Sequence, residues 1–471
     1  MLALAVAIAS VRLFVFAAPV LRTFQAKQSI QKSVFAVLLG ITLLVYLCVW
    51  CASYPGGSSP DTLEQWRQVT TGRFNDWHPF FHTLILWLLS RICNSYSFVH
   101  LIHIVAFAVG VAYLFATLHD WGYSPLWATV FGIIVFSPAN QGQLSFASKD
   151  TALSILLLFL FTQMVNIYHS DGAWLQKRGN AIAFAALLAA STLVRHNAFL
   201  FTLPLAVGLL FRYPAFRKRS IAAVSAALVL VLAVKIPLSA LLKVEKDPTQ
   251  TYGESIGVPM TILTSVYLKS PESLPEDART FLAECTPDIR NLIQFGEYNA
   301  VKFGSDIRQR VLQVPPLTLL QWTWQTMRQA PMLSLLAVME LTDMVWNPLQ
   351  TKGTLVINSY ADFPSLHLLP SSAKTFATTF LQTINRFLGG DFVQILSSRL
   401  GVLLLAILLS WLVSFKRSGF STLWLFLPFV FYNLGTMLLL CAGDYRFFHF
   451  TCLLAWPLAL LMLSKPVGSK N

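Results

Sequence analysis

Long apolar runs separated by short polar segments make up most of the chain. A helix needs about 20 apolar residues to cross the hydrocarbon core of a bilayer, and most of these runs approach that length. The pattern therefore predicts an all-α polytopic membrane protein with about 11–13 transmembrane helices. The runs are 2–20, 33–52, 80–92, 98–117, 124–138, 152–168, 179–194, 198–211, 220–242, 400–415, 421–441 and 447–464.

Composition and charge agree with this class. Hydrophobic residues make up 55% of the 471 residues and charged residues only 12%, about half the charged fraction of a typical soluble domain. The formal net charge of +13 would suggest nucleic acid as a partner in a soluble protein. Here the basic residues cluster in short loops, as in the cytoplasmic loops of membrane proteins, so we exclude nucleic acid and place these loops inside. The clusters are Arg22 with Lys27 and Lys32, Lys177 with Arg178, Arg212 with Arg217, Lys218 and Arg219, and Lys416 with Arg417.

The segment Tyr54–Pro79 is a polar loop between the runs 33–52 and 80–92. With the basic clusters inside, the run 33–52 delivers this loop to the outer face. The loop and the start of the next run hold a high density of reactive side chains for a chain so poor in charge. We therefore predict that short helices and part of a functional site lie here. The side chains are Asp61, Glu64, Arg67, Arg73, Asp76, His78 and His82.

One stretch of the topology is ambiguous. We predict that 80–92 returns to the inner face and that 98–117 crosses outward again. A single further crossing within 124–146 would place Asp150 inside, whereas the following run leads to an inner basic cluster and requires Asp150 outside. Either 124–146 is re-entrant or an earlier segment does not fully cross. Because the basic loop is the stronger signal, we place Asp150 outside.

Between residues 243 and 399, prolines, paired charges and amides replace the long apolar runs. We predict a mostly helical insertion on the outer face. Within it, 331–346 is apolar enough to span, but Glu340 and Asp343 favour a partly buried or interfacial helix. The predicted domains are a transmembrane module at 1–242 with its outer loop at 54–79, the insertion at 243–399, and C-terminal transmembrane helices at 400–471.

Asp61 has two interpretations. Ser59-Pro60-Asp61 has the pattern of a helix start, with Ser59 as the N-cap and Pro60 at the first helical position. Asp61 then only complements the helix dipole. In the functional interpretation, Asp61, Glu64 and Gln65 share one helical face by their i, i+3 and i+4 spacing and direct carboxylates towards a cavity. The sequence alone leaves both open.

Other polar positions fall at the ends of apolar runs on the same outer face. Ionisable groups at membrane depth are costly and usually functional, and a guanidinium can bind phosphate in bidentate fashion. Each position also has a structural interpretation, as an interfacial ion pair, a snorkelling arginine, an aromatic belt or a tight turn. His78 and His82 have the spacing of a metal pair, but no acidic third ligand is suitably spaced, so no metal site is predicted. The positions are His78, Lys149, Asp150, Arg195, His196, Asp444, Tyr445 and Arg446.

The order of these motifs resembles the GT-C class of integral-membrane glycosyltransferases, which take a sugar from a polyprenyl-phosphate carrier such as undecaprenyl phosphate. In that class an acidic motif in the first large outer loop precedes a Gly, a pair such as His-Pro and the next helix. A second Asp begins a later helix, and a Tyr-Arg pair lies near an outer helix end late in the chain. The acidic motif here is Asp-x-x-Glu where the class has adjacent Asp-Glu. The corresponding positions are Asp61, Gly72, His78-Pro79, Asp150 and Asp444-Tyr445-Arg446.

The resemblance implies inverting sugar transfer in a bacterial inner membrane, with the active site facing the periplasm. The donor would be a polyprenyl-phosphate sugar, and the acceptor a glycan or glycolipid of the cell envelope such as lipopolysaccharide O-antigen. It implies no certain cofactor and leaves a divalent cation open. The catalytic set would be Asp61 as general base with Glu64 and Asp150. The groups that bind the substrate or its phosphate would be His78, Lys149, Arg195, His196, Tyr445 and Arg446.

Two other classes compete with this one. A transporter or flippase of a lipid-linked glycan should show charged or helix-breaking residues near the bilayer midplane, and often internal repeats. Here the charges gather at one face and no repeat is visible. An O-antigen polymerase or ligase also has a large outer loop, but it should depend mainly on late arginines. The early Asp loop and the His-Pro pair favour the transferase over it.

Overall fold

The structure is a computed structural model that describes residues 31–123, 126–246, 248–285, 298, 305–349, 369–388, 390–441 and 443–464. Across these ranges the regular elements are helices, and the β-type pairing found in them is an isolated bridge between Asn75 and Glu245. The predicted all-α class is confirmed. The predicted helix at 2–20 and the terminal Lys465 and Lys470 lie outside the described residues.

The helices before the insertion alternate long apolar rods with short elements. They are α1 (Lys32–Ala52), α2 (Pro60–Thr71), α3 (Phe80–Ile92), α4 (Tyr96–Asp120), α5 (Leu126–Val135), α6 (Pro138–Leu144), α7 (Lys149–His169), α8 (Arg178–Val194), α9 (Phe199–Arg212) and α10 (Arg217–Ala233).

The insertion consists of shorter helices, and three apolar helices follow it. The short helix α11 (Ser239–Leu241) ends the apolar segment before the insertion. The insertion helices are α12 (Pro248–Ser255), α13 (Gly257–Lys269), α14 (Glu276–Cys285), α15 (Ser305–Val311), α16 (Pro316–Gln329), α17 (Pro331–Leu341), α18 (Asp343–Trp346), α19 (Ser371–Leu388) and α20 (Asp391–Ser398). The final helices are α21 (Leu400–Ser418), α22 (Leu423–Leu440) and α23 (His449–Leu463).

Six segments of the described chain are long and apolar enough to cross a membrane. Five shorter apolar helices of 10–17 residues accompany them. The chain is therefore a polytopic membrane protein. The six segments are Lys32–Ala52, Tyr96–Asp120, Lys149–His169, Pro214–Leu241, Leu400–Leu440 and Tyr445–Leu463.

The core lies where the central helices meet. In the most apolar 18 residues of Tyr445–Leu463, which contains α23, 89% of the positions are buried. The corresponding share is 83% in Lys149–His169 and only 11% in Pro214–Leu241. The first two segments therefore form the centre of the bundle. The third keeps an apolar surface that lipid can cover favourably.

Helices α1 and α4 run antiparallel. At one end, the indole N–H of Trp50 donates to the carbonyl of Ser97 over 2.9 Å. At the other end, the backbone N–H of Gln31 donates to the carboxylate of Asp120 over 3.4 Å. The loop 54–79 thus lies where α1 ends and α4 begins. We call this the loop end of the bundle.

This arrangement corrects two predicted crossings. Because α4 leaves the loop end, the predictions that 80–92 returns to the inner face and that 98–117 runs outward are wrong. The physical reason is length. Helix α3 has 13 residues, about 20 Å at 1.5 Å per residue, whereas the hydrocarbon core is about 30 Å thick. Helix α3 is the earlier segment that does not fully cross.

The return path from α4 passes through the short helices α5 and α6. Ser137 caps α6 by accepting from the backbone N–H of Asn140 over 3.3 Å. The Asn140 side chain donates to the carbonyl of Ile134 over 2.9 Å, which satisfies a backbone group at the break between the two helices. Helix α7 then starts at the loop end, so Asp150 lies on the same side as the loop, as predicted.

The insertion is attached to the loop end at two places. Glu245 and the loop exchange backbone hydrogen bonds, from Glu245 N–H to the Phe74 carbonyl and from Asp76 N–H to the Glu245 carbonyl, each 2.9 Å. Helix α13 packs against α22, and Gly257 is needed there because an added Cβ would collide with Sγ of Cys441. The insertion therefore packs close to the residues that follow α22.

Candidate functional site

Helix α2 begins as the sequence predicts. Ser59 is the N-cap, and its hydroxyl accepts from the backbone N–H of Thr62 over 3.2 Å. In return the Thr62 hydroxyl accepts from the Ser59 backbone N–H over 2.7 Å, which completes a capping box. Pro60 occupies the first turn. This rigid start fixes the position from which Asp61 leaves the helix.

The Asp61 carboxylate contacts cations from two distant helix ends. Nζ of Lys149, at the start of α7, donates to Oδ2 over 2.6 Å. Nη1 of Arg446, just before α23, donates to the same oxygen over 3.1 Å. Asp61 keeps 24% of its side chain exposed. A residue that only complemented a helix dipole would not need these partners.

Burial alone would raise the pKa of Asp61. The charges of Lys149 and Arg446 outweigh it, and the net result holds the pKa well below the ordinary 3.8. Asp61 is thus a carboxylate at every physiological pH. While it is held in this way it is also a weak base.

His78 completes this side of the site. Its Nδ1 lies 3.1 Å from Nζ of Lys149, and its Nε2 lies 3.7 Å from Oδ1 of Asp61. A charged lysine can only donate, so we assign the ring proton to Nε2, facing Asp61. Burial and the neighbouring Lys149 charge lower the pKa of His78 to about 3, so the ring is neutral near pH 7.

A second, deeper pair lies beside the first. Asp150 and Arg195 contact each other directly, with 1% and 5% of their side chains exposed. Nε of Arg446 is 3.9 Å from Oδ2 of Asp150 and 2.8 Å from Oδ2 of Asp444. Both guanidinium groups also lie over the ring of Phe447, at 4.5 Å for Arg195 and 4.9 Å for Arg446. Arg446 therefore joins the two pairs.

The six charged residues form one network, which we call the ion-pair cluster. Its cations are Lys149, Arg195 and Arg446, and its carboxylates are Asp61, Asp150 and Asp444. With His78 neutral the formal charges cancel. An anion that enters must therefore compete with a carboxylate for a cation. The Asp61 carboxylate is more exposed than that of Asp150, so the anion reaches the cations of Asp61 more easily.

Three predicted site residues have their polar groups turned to other partners. The Glu64 carboxylate accepts from Arg67 over 2.9 Å and from the Asn75 amide over 3.3 Å, so it fixes the end of the loop. His196 Nε2 lies 3.0 Å from the backbone carbonyl of Asp76. The Tyr445 hydroxyl donates to the Asn140 side chain over 3.2 Å in the interior. The structure brings together Asp61, His78, Lys149, Asp150, Arg195 and Arg446.

Two features of the site were not predicted. Phe447 lies against both arginines, and its position next to Arg446 was the signal in the sequence. Gln65 is fully buried and joins α2 to α3, since its amide donates to Thr83 over 2.9 Å and its carbonyl lies 3.1 Å from Nδ1 of His82. Its signal in the sequence was its position four residues after Asp61, on the same helical face.

Metal ligands do not gather in the described part of the chain. Across those residues the structure places no three His, Cys, Asp or Glu side chains where they could hold one metal ion together. The carboxylates of the ion-pair cluster are instead paired with arginine and lysine.

Comparison with known proteins adds little to this geometry. No protein-family model and no curated protein matches the chain. Among solved structures, the chain is similar to the crystal structure of ArnT from Cupriavidus metallidurans bound to undecaprenyl phosphate. The sequence identity is 13% and the TM-score 0.38, over 90% of this chain and 76% of that chain. A similarity at this level carries no weight for function.

Proposed function

We propose that the protein is a membrane glycosyltransferase that moves a sugar from a polyprenyl-phosphate carrier to a cell-envelope glycan or glycolipid. The observation that carries the proposal is one half-buried carboxylate, Asp61, contacted by two cations from distant helix ends, Lys149 and Arg446. Sugar transfer from a lipid phosphate needs a base for the acceptor and positive charge for the phosphate that leaves. The cluster supplies both at one place.

The proposed step is an inverting displacement. The acceptor hydroxyl gives its proton to Asp61 while its oxygen bonds to the anomeric carbon of the sugar. The bond between that carbon and the phosphate oxygen breaks, and its electron pair stays on the phosphate. Lys149 and Arg446 stabilise the charge that develops on this oxygen. His78, with its ring proton towards Asp61, orients that carboxylate.

Donor binding itself would prepare the base. Asp61 is a weak base while Lys149 and Arg446 hold it, because a carboxylate with a strongly lowered pKa accepts a proton poorly. The donor phosphate would draw both cations towards itself. That raises the pKa of Asp61 towards the range in which it can accept the acceptor proton. The formal charges of the cluster cancel, so the free site holds no excess positive charge for a phosphate. This supports the sequence of events in which the donor phosphate first draws the cations from Asp61 and Asp61 then accepts the proton.

The deeper residues have a positioning role in this proposal. Asp150 and Arg195 are almost fully buried, and Arg446 contacts both Asp150 and the ring that Arg195 covers. This arrangement holds the Arg446 guanidinium against Asp61. Glu64 accepts a hydrogen bond from the Asn75 amide and so fixes the last part of the loop 54–79.

The charge pattern supports an outer-face site in a bacterial inner membrane. Basic residues lie at the end of the bundle away from the cluster, where Arg212 pairs with Asp171 at 3.5 Å and Arg417 donates to the Leu463 carbonyl over 3.1 Å. Cytoplasmic ends of membrane helices carry such excess positive charge. The cluster then faces the periplasm, where lipid-linked sugars and envelope acceptors meet.

The test is sugar transfer by purified protein in nanodiscs supplied with polyprenyl-phosphate sugars and an envelope glycan fraction. We expect Lys149→Met and Arg446→Met to lower kcat/KM by about 100-fold or more, as for loss of a group that stabilises transition-state charge. Arg67→Met is the control, because Arg67 pairs with Glu64 at the exposed side of α2. Transfer by neither the wild type nor any variant, or full activity in Lys149→Met, would contradict the proposal.

A further inference from the structure

Helices α16 and α17 are joined by a turn at Ala330, and both pack on α13. We call this helix pair the hairpin; it buries small and polar side chains and exposes large apolar ones. A soluble domain buries its large apolar side chains and exposes polar ones. Here small and hydroxylated side chains occupy most of the packed face. The buried residues are Leu319, Thr323, Thr326, Ser334, Ala337 and Leu341.

The large apolar side chains point outward instead. On α16, Leu317 is 75% exposed and Trp324 62% exposed. On α17, Met332 is 65% exposed and Leu335 52% exposed. Burying one such side chain is worth about 1.5–3 kcal/mol, so leaving a whole face in water would be costly.

The packed face has the chemistry of helices that associate inside membranes. The Thr323 hydroxyl donates to the carbonyl of Leu319 over 2.7 Å, and the Thr326 hydroxyl donates to that of Trp322 over 2.8 Å. Each threonine is thus satisfied within its own helix and needs no water. Small residues at the interface let helices approach closely, which is how helices pack in lipid.

The two helices differ on their exposed sides. The exposed sector of α17 is apolar up to half-buried Glu340 near its C-terminal end, whereas α16 also carries a polar sector with Gln321, Gln325 and Arg328. Lipid can cover the first, and the second needs water or head groups. The exposed apolar residues of α17 are Pro331, Met332, Leu335, Leu336 and Met339.

Length and position define how deep the hairpin reaches. Helix α16 has 14 residues and α17 has 11, about 21 and 16 Å long, so neither spans about 30 Å of hydrocarbon. Helix α13 packs against both and also against the apolar helix α22. After α17, the Sδ of Met344 comes near Gly443 and hence near the ion-pair cluster.

We propose that this hairpin is inserted into the bilayer leaflet at the loop end, with the hydrocarbon of lipid chains as the partner of its apolar sectors. Helix α17 faces the chains, and α16 lies at the boundary with the head groups. The insertion 243–399 is then anchored in the membrane beside the cluster. This proposal does not depend on the proposed chemistry.

Methionine oxidation gives a direct test, because Met332 and Met339 on α17 are 65% and 39% exposed. Protein in nanodiscs is treated with hydroxyl radicals generated in water, and oxidation of each peptide is followed by mass spectrometry. Gln325→Met supplies a matched probe on the polar sector of α16, and fully buried Met260 on α13 sets the lower limit. We expect Met332 and Met339 to oxidise at least ten times more slowly than the Gln325→Met position.

A second reagent separates lipid from protein as the cover. A carbene photoreagent dissolved in the lipid should label the α17 peptide and leave the peptide that contains Met260 unlabelled. Oxidation of Met332 and Met339 at the rate of the Gln325→Met position would overturn the proposal. So would protection from radicals without labelling from the lipid, since a second protein molecule would then cover the face.

Discussion

Loss of one partner from the Asp150–Arg195 pair should unfold the protein more easily than loss of both. The two side chains are 1% and 5% exposed and contact each other directly. Arg195→Met removes the guanidinium but leaves the carboxylate buried. Removing one partner of a buried pair typically costs about 3–5 kcal/mol, because the remaining charge is poorly solvated.

The structure places the expected cost near the lower end of that range. Nε of Arg446 stays 3.9 Å from Oδ2 of Asp150 and partly compensates the charge. Loss of the Arg195 contact with Phe447 adds about 0.5–1 kcal/mol. We therefore expect about 3–4 kcal/mol for Arg195→Met. The double variant Arg195→Met/Asp150→Leu removes both charges and should return to within about 1 kcal/mol of wild type.

The assay is the free energy of unfolding from reversible SDS titration in mixed micelles, followed by helical circular dichroism. Arg67→Met serves as the control, since its ion pair with Glu64 lies on the exposed side of α2. It should leave the midpoint near the wild-type value. The reasoning is refuted if Arg195→Met unfolds like the wild type, or if the double variant is as unstable as the single one.

Three further predictions concern pH, close packing and the link between α2 and α3. Because burial and a neighbouring lysine lower the pKa of His78 to about 3, the unfolded chain binds a proton below pH 6.5 that the folded protein does not. The free energy of unfolding should therefore fall as pH decreases from 6.5 towards 3, and His78→Asn should flatten this decline in SDS titrations. An added Cβ at Gly401 would meet the backbone carbonyl of Asn347 at 2.5 Å, so Gly401→Ala should destabilise by about 1–3 kcal/mol. Gly40→Ala, on an open helix face, should stabilise the protein by up to about 1 kcal/mol in the SDS titration. A Gly401→Ala protein more stable than the Gly40→Ala protein would contradict the close packing at Gly401. Gln65→Ala should lower kcat with little change in KM for the donor, because the substitution loosens the helix that carries the proposed base, whereas an unchanged kcat would contradict this role.

Local signals in the sequence predicted much of the loop. Ser59-Pro60 marks the start of α2, and the structure begins the helix there with a capping box. The bounds of α3 follow equally from a proline before an apolar run. Helix starts are readable because the groups that satisfy the free backbone N–H groups lie within a few residues.

The grouping of Asp61, Lys149 and Arg446 was readable only in outline. The charge pattern placed them at one face, but not in contact, because pairing across 88 and 385 residues depends on how the helices pack. The same limit explains Glu64, which follows Asp61 by three residues yet binds Asn75 instead. Spacing along a helix defines a face and leaves the partner to the fold.

The path of α3 could not be derived from its own residues. Its 13 mostly apolar residues resemble a short span. The hydrogen bonds from Trp50 to Ser97 and from Gln31 to Asp120 show that α4 starts again at the loop end. Hydropathy measures whether a segment is compatible with lipid, and length decides whether it can cross. When a segment is apolar enough for lipid but short for a crossing, the packing of neighbouring helices determines whether it crosses.

The most direct measurement of the central claim compares sugar transfer by wild type and Asp61→Asn in nanodiscs with polyprenyl-phosphate sugar donors. Asparagine keeps the size of the side chain but cannot take the acceptor proton. Asp171→Asn, at the opposite end of the bundle and exposed, is the matched control. We predict that Asp61→Asn remains folded and loses about 10²–10⁴ in kcat, as for loss of a general base. Near-normal transfer by a folded Asp61→Asn protein would contradict the account.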